Sequence, residues 1–512
     1  MALAITHSVA LLGIEGSVVD VEADLADGLP AFYLLGLPDA SLAESRDRVR
    51  AAIINSGETW PSRRITVALS PASLPKRGSS YDLAVAVAVL AADAKLPSKN
   101  LASLMLMGEL ALDGRIKAVR GILPAVLAAA RSGIQRVIVP TANLGEARLV
   151  PDVEVVGFQS LGALIAWFRG VEPPDEVALD GQARILEKPL LDLVDVVGQH
   201  EARRAAEIAA VGEHHLFMVG SPGAGKTMIA ERLPSIMPTL DDECALEVSA
   251  IHSVAGLLSE SEPLLRTPPF VAPHHTATRS AIIGGGSAHP RPGAVSIAHR
   301  GVLFIDEAPE FAGGIMDALR QPLESGFISV SRTGGTARYP AQFLLVMAAN
   351  PCPCGRFAGD GRACTCTSLM VRRYLSRLSG PLLDRVDLQI YVEPVARIDL
   401  MGNLRGEASV LVRDRVMAAR ERSASRLAMG GWRTNSQISA TALRGELAAD
   451  ARGMAIAHRA LDEHRLTARG LHKVLRLAWS VADLEGHDRP TAEDVAQAFA
   501  LRTGAERLVG PE

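Results

Sequence analysis

Apolar positions along this chain follow different patterns in different parts, and the changes of pattern divide it. Leu216–Val219, Val302–Ile305 and Phe343–Ala349 are unbroken apolar runs of four to seven residues. Runs without alternation predict strands covered on both faces, as in a parallel sheet between helices. Upstream, Ser17–Ala23 alternates with period two and predicts a half-exposed strand; Arg64–Leu69 and Arg136–Pro140 predict two more. Ser41–Ile54, Tyr81–Ala92 and Gly121–Ser132 read as helices between them. Downstream, Ser439–Ala448, Ala451–Asp462, Ala468–Leu484 and Thr491–Ala500 are helical segments separated by polar or Gly/Pro breaks. The expected organisation is an α+β domain over 1–172, a linker over 173–191 that starts at Pro173-Pro174, an α/β core over 192–395 and a helical domain over 396–512.

Composition changes this picture in three places. Hydrophobic (48%) and charged (21%) fractions are those of a globular protein. The formal charge of −4 gives no overall attraction to nucleic acid, so any such contact must come from a local basic surface. The longest apolar run, Leu83–Ala92, is too short to cross a bilayer, and the first residues lack the basic stretch of a secretory signal. A cytoplasmic protein with no membrane partner is expected. Four of the five cysteines fall between residues 352 and 366, a clustering that suits a metal better than a disulfide framework.

The organising stretch is Gly220-Ser221-Pro222-Gly223-Ala224-Gly225-Lys226-Thr227, which fits the phosphate-binding pattern G-x-x-x-x-G-K-[ST]. It sits between the Leu216–Val219 strand and a helix beginning near Met228, the context this motif requires. Its backbone N–H groups would cradle ATP phosphates, Lys226 would reach the β- and γ-phosphates, and the Thr227 hydroxyl would hold Mg²⁺. Asp306 and Glu307 end the Val302–Ile305 strand, where ligands of open α/β sheets bind. Asp306 is the second Mg²⁺ residue, and Glu307 would polarise the attacking water. Cys352-Pro-Cys354 and Cys364-Thr-Cys366, nine residues apart, match a closed structural Zn²⁺ site, with free thiols as the alternative.

Several stretches resemble known families. Asp195-Val-Val197-Gly198-Gln199 and the following helix resemble the adenine-side box of AAA+ ATPases, which implies that Val197 and Gly198 lie beside the base. Asn350 matches sensor 1, and Thr467-Ala-Arg469 resembles sensor 2, implying that Arg469 reaches the phosphates. Leu382-Leu-Asp-Arg385 resembles the arginine-finger motif of MCM helicases and magnesium chelatase motors, implying that Arg385 enters a neighbouring subunit's site. The stretches Pro273–Arg279 and Ile283–Gly286, with a hairpin from Phe327 to Tyr339, resemble the helix-2 insert and pre-sensor-1 hairpin of that branch. In such rings these elements project into the pore, which makes Arg332, Arg338 and Arg279 the candidate DNA contacts.

The N-terminal part, with Gly108–Ile116, Val137–Pro140 and Asn143, resembles the S5-like proteolytic domain of Lon-type proteases. Ser80 falls on the nucleophile's place, but Ala125 stands where the dyad lysine belongs, and Lys76 and Lys117 lie at other positions. A serine hydroxyl without a base is a poor nucleophile, so a binding or assembly module is expected, catalytically inactive. Gly36–Asp39, Phe270–His275, Arg320–Glu324 and Asn350–Gly355 extend the likeness over nearly the whole chain, to the ComM/YifB family of magnesium-chelatase-like AAA+ ATPases. That resemblance implies an AAA+ core with a helical lid, in a homo-oligomer, a hexamer, driven by ATP and Mg²⁺. It implies helicase or branch-migration activity on single-stranded or branched DNA, in recombination or natural transformation. The alternatives are a magnesium chelatase-type motor and a remodeller of a protein substrate.

Overall fold

The computed structural model describes residues 2–76, 78–98, 101–171, 191–286, 290–332, 335–357, 363–395 and 406–504. The expected linker, Leu191 excepted, and the hairpin-tip residues Thr333 and Gly334 lie outside them. The three apolar runs are the strands Leu216–Gly220, Val302–Ile305 and Leu344–Ala349, each buried at every residue. Phe270–Val271 and Leu388–Val392 complete a five-stranded sheet among the described residues. Its order is 270–271, 302–305, 344–349, 216–220, 388–392, and every pairing is parallel. The reason for the unbroken runs lies in which core each residue joins. Leu216, Met218, Phe304 and Val346 pack with helices His200–Gly212 and Lys226–Ile236 and the C-terminal helices. Phe217, Val219, Ile305 and Met347 pack with the insert and the hairpin on the other face.

The N-terminal unit is an α+β layer. Among the described residues its sheet has seven strands in the order 31–35, 64–70, 15–26, 2–12, 104–106, 136–140, 154–158. The pairs of 15–26 with 2–12 and with 64–70 are antiparallel; the others are parallel. The expected apolar helix is Asp82–Ala92, with all eleven residues buried. The first strand, Ala2–Leu12, has no clear apolar signature. Its polar Thr6 and Ser8 face inward, and Thr6 Oγ1 donates to Ala84 O at 3.0 Å. Helix Ile122–Arg131 of this unit packs on helix Asp242–Ala255 of the motor core. Ser253 Oγ donates to Glu146 Oε2 across that contact at 2.6 Å.

The C-terminal part is helical. Ala451–Asp462, Ala468–Glu485 and Ala492–Thr503 match expectation, whereas the first segment shortens to Ala440–Arg444 ahead of Gly445. A 21-residue helix, Ser409–Met429, has no counterpart in the apolar pattern. Its inward positions are Ser409, Val412, Val416, Ala419, Ser423 and Leu427, and half of these are serine or alanine. It packs against helices His200–Gly212 and Lys226–Ile236. Among the described residues no helix is long and apolar enough to cross a membrane.

One buried ion pair fastens the lid to the sheet. Lys473 Nζ donates to Asp387 Oδ1 at 2.6 Å and to Arg385 O at 2.7 Å. His215 N donates to Asp387 Oδ2 at 2.9 Å. Burial, the largest single influence, raises the Asp387 carboxyl, but the Lys473 ammonium with its hydrogen bond and the neighbouring His214 and His215 together hold the group below the usual carboxylate range. Lys473→Met would strand a buried carboxylate, so chemical denaturation should show a loss of about 3–5 kcal/mol, mostly recovered by adding Asp387→Leu. A loss below about 1 kcal/mol would mean that the pair is solvated in solution.

Candidate active site

The loop after strand Leu216–Gly220 owes its shape to glycine. Gly223 and Gly225 have φ of +78° and +92°, in the left-handed region that side chains avoid. A Cβ on Gly220 would lie 2.4 Å from Val392 O. The loop leads into helix Lys226–Ile236, whose first N–H groups face it. Lys226 is buried, and its Nζ donates to Gly220 O (2.6 Å), Ser221 O (3.0 Å) and Asn350 Oδ1 (3.3 Å). Burial lowers its pKa, and Asp306 and Glu307 act the other way. Ala224 is buried beneath the loop, Pro222 and Gly223 are exposed, and Met228 is 39% exposed on the first helical turn.

Thr227 Oγ1 donates to Asp306 Oδ2 at 3.0 Å, and Glu307 N donates to Asp306 Oδ1 at 2.9 Å. A hydroxyl and a carboxylate so placed are the hard oxygen ligands that Mg²⁺ takes. Glu307 adopts φ +49°, ψ +42°, a conformation that costs a non-glycine residue about 1 kcal/mol or more. Its Oε2 lies 3.4 Å from His275 Nδ1. In the sequence His275 is only half of a histidine pair, and nothing there marks it as facing Glu307. Gln199 lies in the stretch that resembles the adenine-side box, but its contacts had no sequence signal. Its Nε2 donates to Ala224 O (2.9 Å) and Glu393 O (2.5 Å), clasping the turn at Val197 and Gly198 to the phosphate loop.

Arg385 and Arg469 lie elsewhere. Leu388 pairs with Leu216 and Val392 with Gly220. Arg385, three residues before Leu388, is therefore at the amino end of the sheet, and the phosphate loop is at the carboxyl end. The strand from Leu388 to Val392 alone spans about 13 Å. Glu324 Oε1 accepts from Arg385 Nη2 and from Arg469 Nη2, the latter at 3.3 Å. Arg469 Nη1 donates to Asp384 Oδ2 at 3.1 Å. The fold thus gathers Lys226, Thr227, Asp306, Glu307 and Asn350 at one end and pairs the two arginines at the other. In the sequence Glu324 only ended a family-like stretch; its bond to both arginines had no signal.

The four cysteines converge. Sγ separations are 3.3 Å (352–354), 3.7 Å (352–364) and 3.6 Å (354–364), and all four sulfurs lie within 4.8 Å of one another. Thiolates bound at about 2.3 Å to a tetrahedral Zn²⁺ stand about 3.8 Å apart, so the set fits that ion. Backbone N–H groups of Arg356 and Thr365 pull the Cys354 thiol down to about 5.

The arginines singled out for DNA divide into two places. Arg332 Nε donates to Gly286 O at 2.7 Å, which seats the hairpin end on the insert. There Gly285 pairs with Arg291 and lies against Ser280, next to Arg279. Arg338 is separate. It stacks over Phe327 at 3.6 Å and lines a cleft of about 810 Å³ with Arg131, Arg300 and Arg433 between the N-terminal unit and the core. In the N-terminal unit Ala125 is fully buried. Lys76 Nζ donates to Pro71 O, and Lys117 pairs with Glu109 at 3.5 Å.

Three family models match: "Subunit ChlI of Mg-chelatase" over residues 21–143, "Magnesium chelatase, subunit ChlI" over 192–400, and "Magnesium chelatase, subunit ChlI C-terminal" over 406–502. A Mycobacterium tuberculosis protein is 50% identical over 511 residues, covering 99% of this chain and 100% of the relative. The YifB protein of Escherichia coli is 40% identical, covering 98% of this chain and 97% of its own length. The competence protein ComM of Haemophilus influenzae is 38% identical, covering 98% of each.

Its place beside Asp306 makes Glu307 the candidate for water activation, separate from the groups that face the phosphate loop. Glu307→Gln should leave nucleotide affinity within about twofold and lower kcat for ATP hydrolysis by about 10²–10⁴. A fall in kcat of less than tenfold, in single-turnover and steady-state assays alike, would remove Glu307 from that role.

Proposed function

Because the chain belongs to the ComM/YifB family of magnesium-chelatase-like AAA+ motors, we propose that it hydrolyses ATP in a homo-hexameric ring and spends that energy on moving single-stranded or branched DNA. The ATP phosphates lie in the Gly220–Thr227 loop, with Lys226 on the β- and γ-phosphates. Thr227 and Asp306 hold Mg²⁺, Glu307 orients and polarises the attacking water, and Asn350 bonds the γ-phosphate or that water. Arg385 and Arg469 act on the next subunit's nucleotide, where transition-state charge develops.

The observation that carries this reading is the placement of the two arginines at the opposite end of the sheet from the phosphate loop. A side chain cannot span that strand length, so within one subunit neither serves the loop. In a head-to-tail ring one subunit's amino edge meets the next one's carboxyl edge, and both arginines gain a nucleotide.

The DNA reading draws on the exposed Arg279, Arg291 and Arg332 gathered where insert and hairpin meet. Phosphate recognition needs such local charge on a chain with net charge −4. The printed name of the Haemophilus relative, a competence protein, points the same way. The physiological role proposed is helicase or branch migration in recombination or natural transformation. Zn²⁺ is the proposed occupant of the four-cysteine site.

A remodeller of a protein substrate is the second reading. It is favoured by the turn at Gly13 of the N-terminal unit, which lies against Ala337 and Arg338 of the hairpin. ATP-dependent strand displacement on a synthetic branched DNA separates the two. The DNA motor predicts displacement that is lost in Lys226→Ala and Glu307→Gln, and ATP hydrolysis stimulated by the DNA. Wild-type hydrolysis with neither DNA stimulation nor strand movement would favour the protein remodeller.

A further inference from the structure

The four-cysteine knuckle lies against the nucleotide site on two sides. Asn350, which bonds Lys226, ends the Leu344–Ala349 strand, and the fully buried Cys352 follows two residues later. Gly355 N donates to Cys352 O at 2.9 Å, closing the knuckle's first turn, and Gly355 sits at φ +73°. A Cβ there would lie 2.5 Å from Pro222 Cγ and 2.7 Å from Pro222 Cδ, so the turn is packed backbone-first on the phosphate loop. At its far end, Thr367 caps helix Ser368–Leu375, and the Tyr374 hydroxyl faces the backbone of Asn350. The knuckle therefore joins three parts of one wall: Asn350, the helix behind it and Pro222 of the loop.

Among the described residues the four sulfurs meet one another at the knuckle's centre, within 4.8 Å. Neutral thiols are weak hydrogen-bond partners, and thiolates at 3.3–3.7 Å repel one another unless a cation lies between them. We propose that the metal held by Cys352, Cys354, Cys364 and Cys366 is a buttress of the phosphate loop, so that metal and ATP strengthen each other's binding. This rests on the ATP reading of the loop. Metal binding fixes the Cys352–Gly355 turn, which holds Pro222 and Asn350 at the distances the phosphates require. Nucleotide in turn fixes the loop and so favours the closed knuckle. Linkage makes the two effects equal in size.

The test uses the purified full chain. Bound zinc is counted per chain, its affinity is measured against a buffered-zinc series with and without a non-hydrolysable ATP analogue, and binding of a fluorescent ATP analogue is measured directly. The expected result is one zinc per chain, held about fivefold or more tighter with nucleotide, and a nucleotide affinity weakened by the same factor when zinc is removed. Lys226→Ala should keep the zinc and lose the nucleotide effect. Gly355→Ala keeps all four ligands but drives a Cβ into Pro222. It should retain zinc and weaken nucleotide binding about fivefold or more, which keeps the test decisive if zinc-free protein unfolds. Zinc affinity unchanged by bound nucleotide, wild-type nucleotide affinity in Gly355→Ala, or a folded protein that takes up no zinc even when it is supplied would each overturn the proposal while leaving the motor reading intact. Failure to bind the ATP analogue at all would instead sink the motor reading.

Discussion

The parallel sheet separates the phosphate loop at one end from the cluster of Arg385, Glu324 and Arg469 at the other, and the molecule is arranged around that separation. All strands run the same way, so their carboxyl ends collect the phosphate loop, Asp306, Glu307 and Asn350 in one place. The same rule sends the segment before strand Leu388–Val392, with Arg385, to the other end. Arg469 comes from the lid yet reaches the same place, because the buried Lys473–Asp387 pair pins its helix beside Arg385. Glu324 bonds both arginines there, a carboxylate where the proposed ring would put phosphate. In the proposed ring, a subunit built this way would need its neighbour to bring loop and arginines together.

The connections out of the site follow from the same sheet. One face packs on the lid and on helix Ser409–Met429; the other packs on the insert and hairpin. The insert returns His275 to within 3.4 Å of Glu307, so the proposed water-activating group is in contact with a segment whose other end meets Arg332. The hairpin in turn bears on the Gly13 turn of the N-terminal unit. In that unit Lys76 bonds Pro71 and Lys117 pairs with Glu109. Its contact with the core combines the Ser253–Glu146 hydrogen bond with apolar packing of Leu246 and Ala250 on the unit's own hydrophobic cluster.

What the sequence disclosed and what it hid have a common physical explanation. Strands covered on both faces must be apolar throughout, so the sheet at 216–220, 302–305 and 344–349 is plain from hydrophobicity alone. The phosphate loop is equally plain, because only glycine takes the φ values at 223 and 225. Strand Ala2–Leu12 and helix Ser409–Met429 were hidden because Thr6, Ser8, Ser409 and Ser423 turn small polar groups inward. His275, Gln199 and Glu324 belong to the site through contacts between segments far apart in the chain, which no local spacing encodes. Arg338 illustrates the reverse: the hairpin made it a candidate DNA contact together with Arg332, but antiparallel pairing sets it opposite Ser329, over Phe327.

The central claim is that each ATP site is completed by the next subunit, and subunit mixing tests it most directly. Lys226→Ala lacks a working loop but keeps its arginines; Arg385→Ala lacks a finger but keeps its loop. Each alone should be almost inactive as an ATPase. In randomly mixed rings, a loop from one variant meets a finger from the other at about a quarter of interfaces, so an equimolar mixture should recover up to about a quarter of wild-type activity. Activity in the mixture no greater than the mean of the two variants, or wild-type turnover by Arg385→Ala alone, would contradict the composite site.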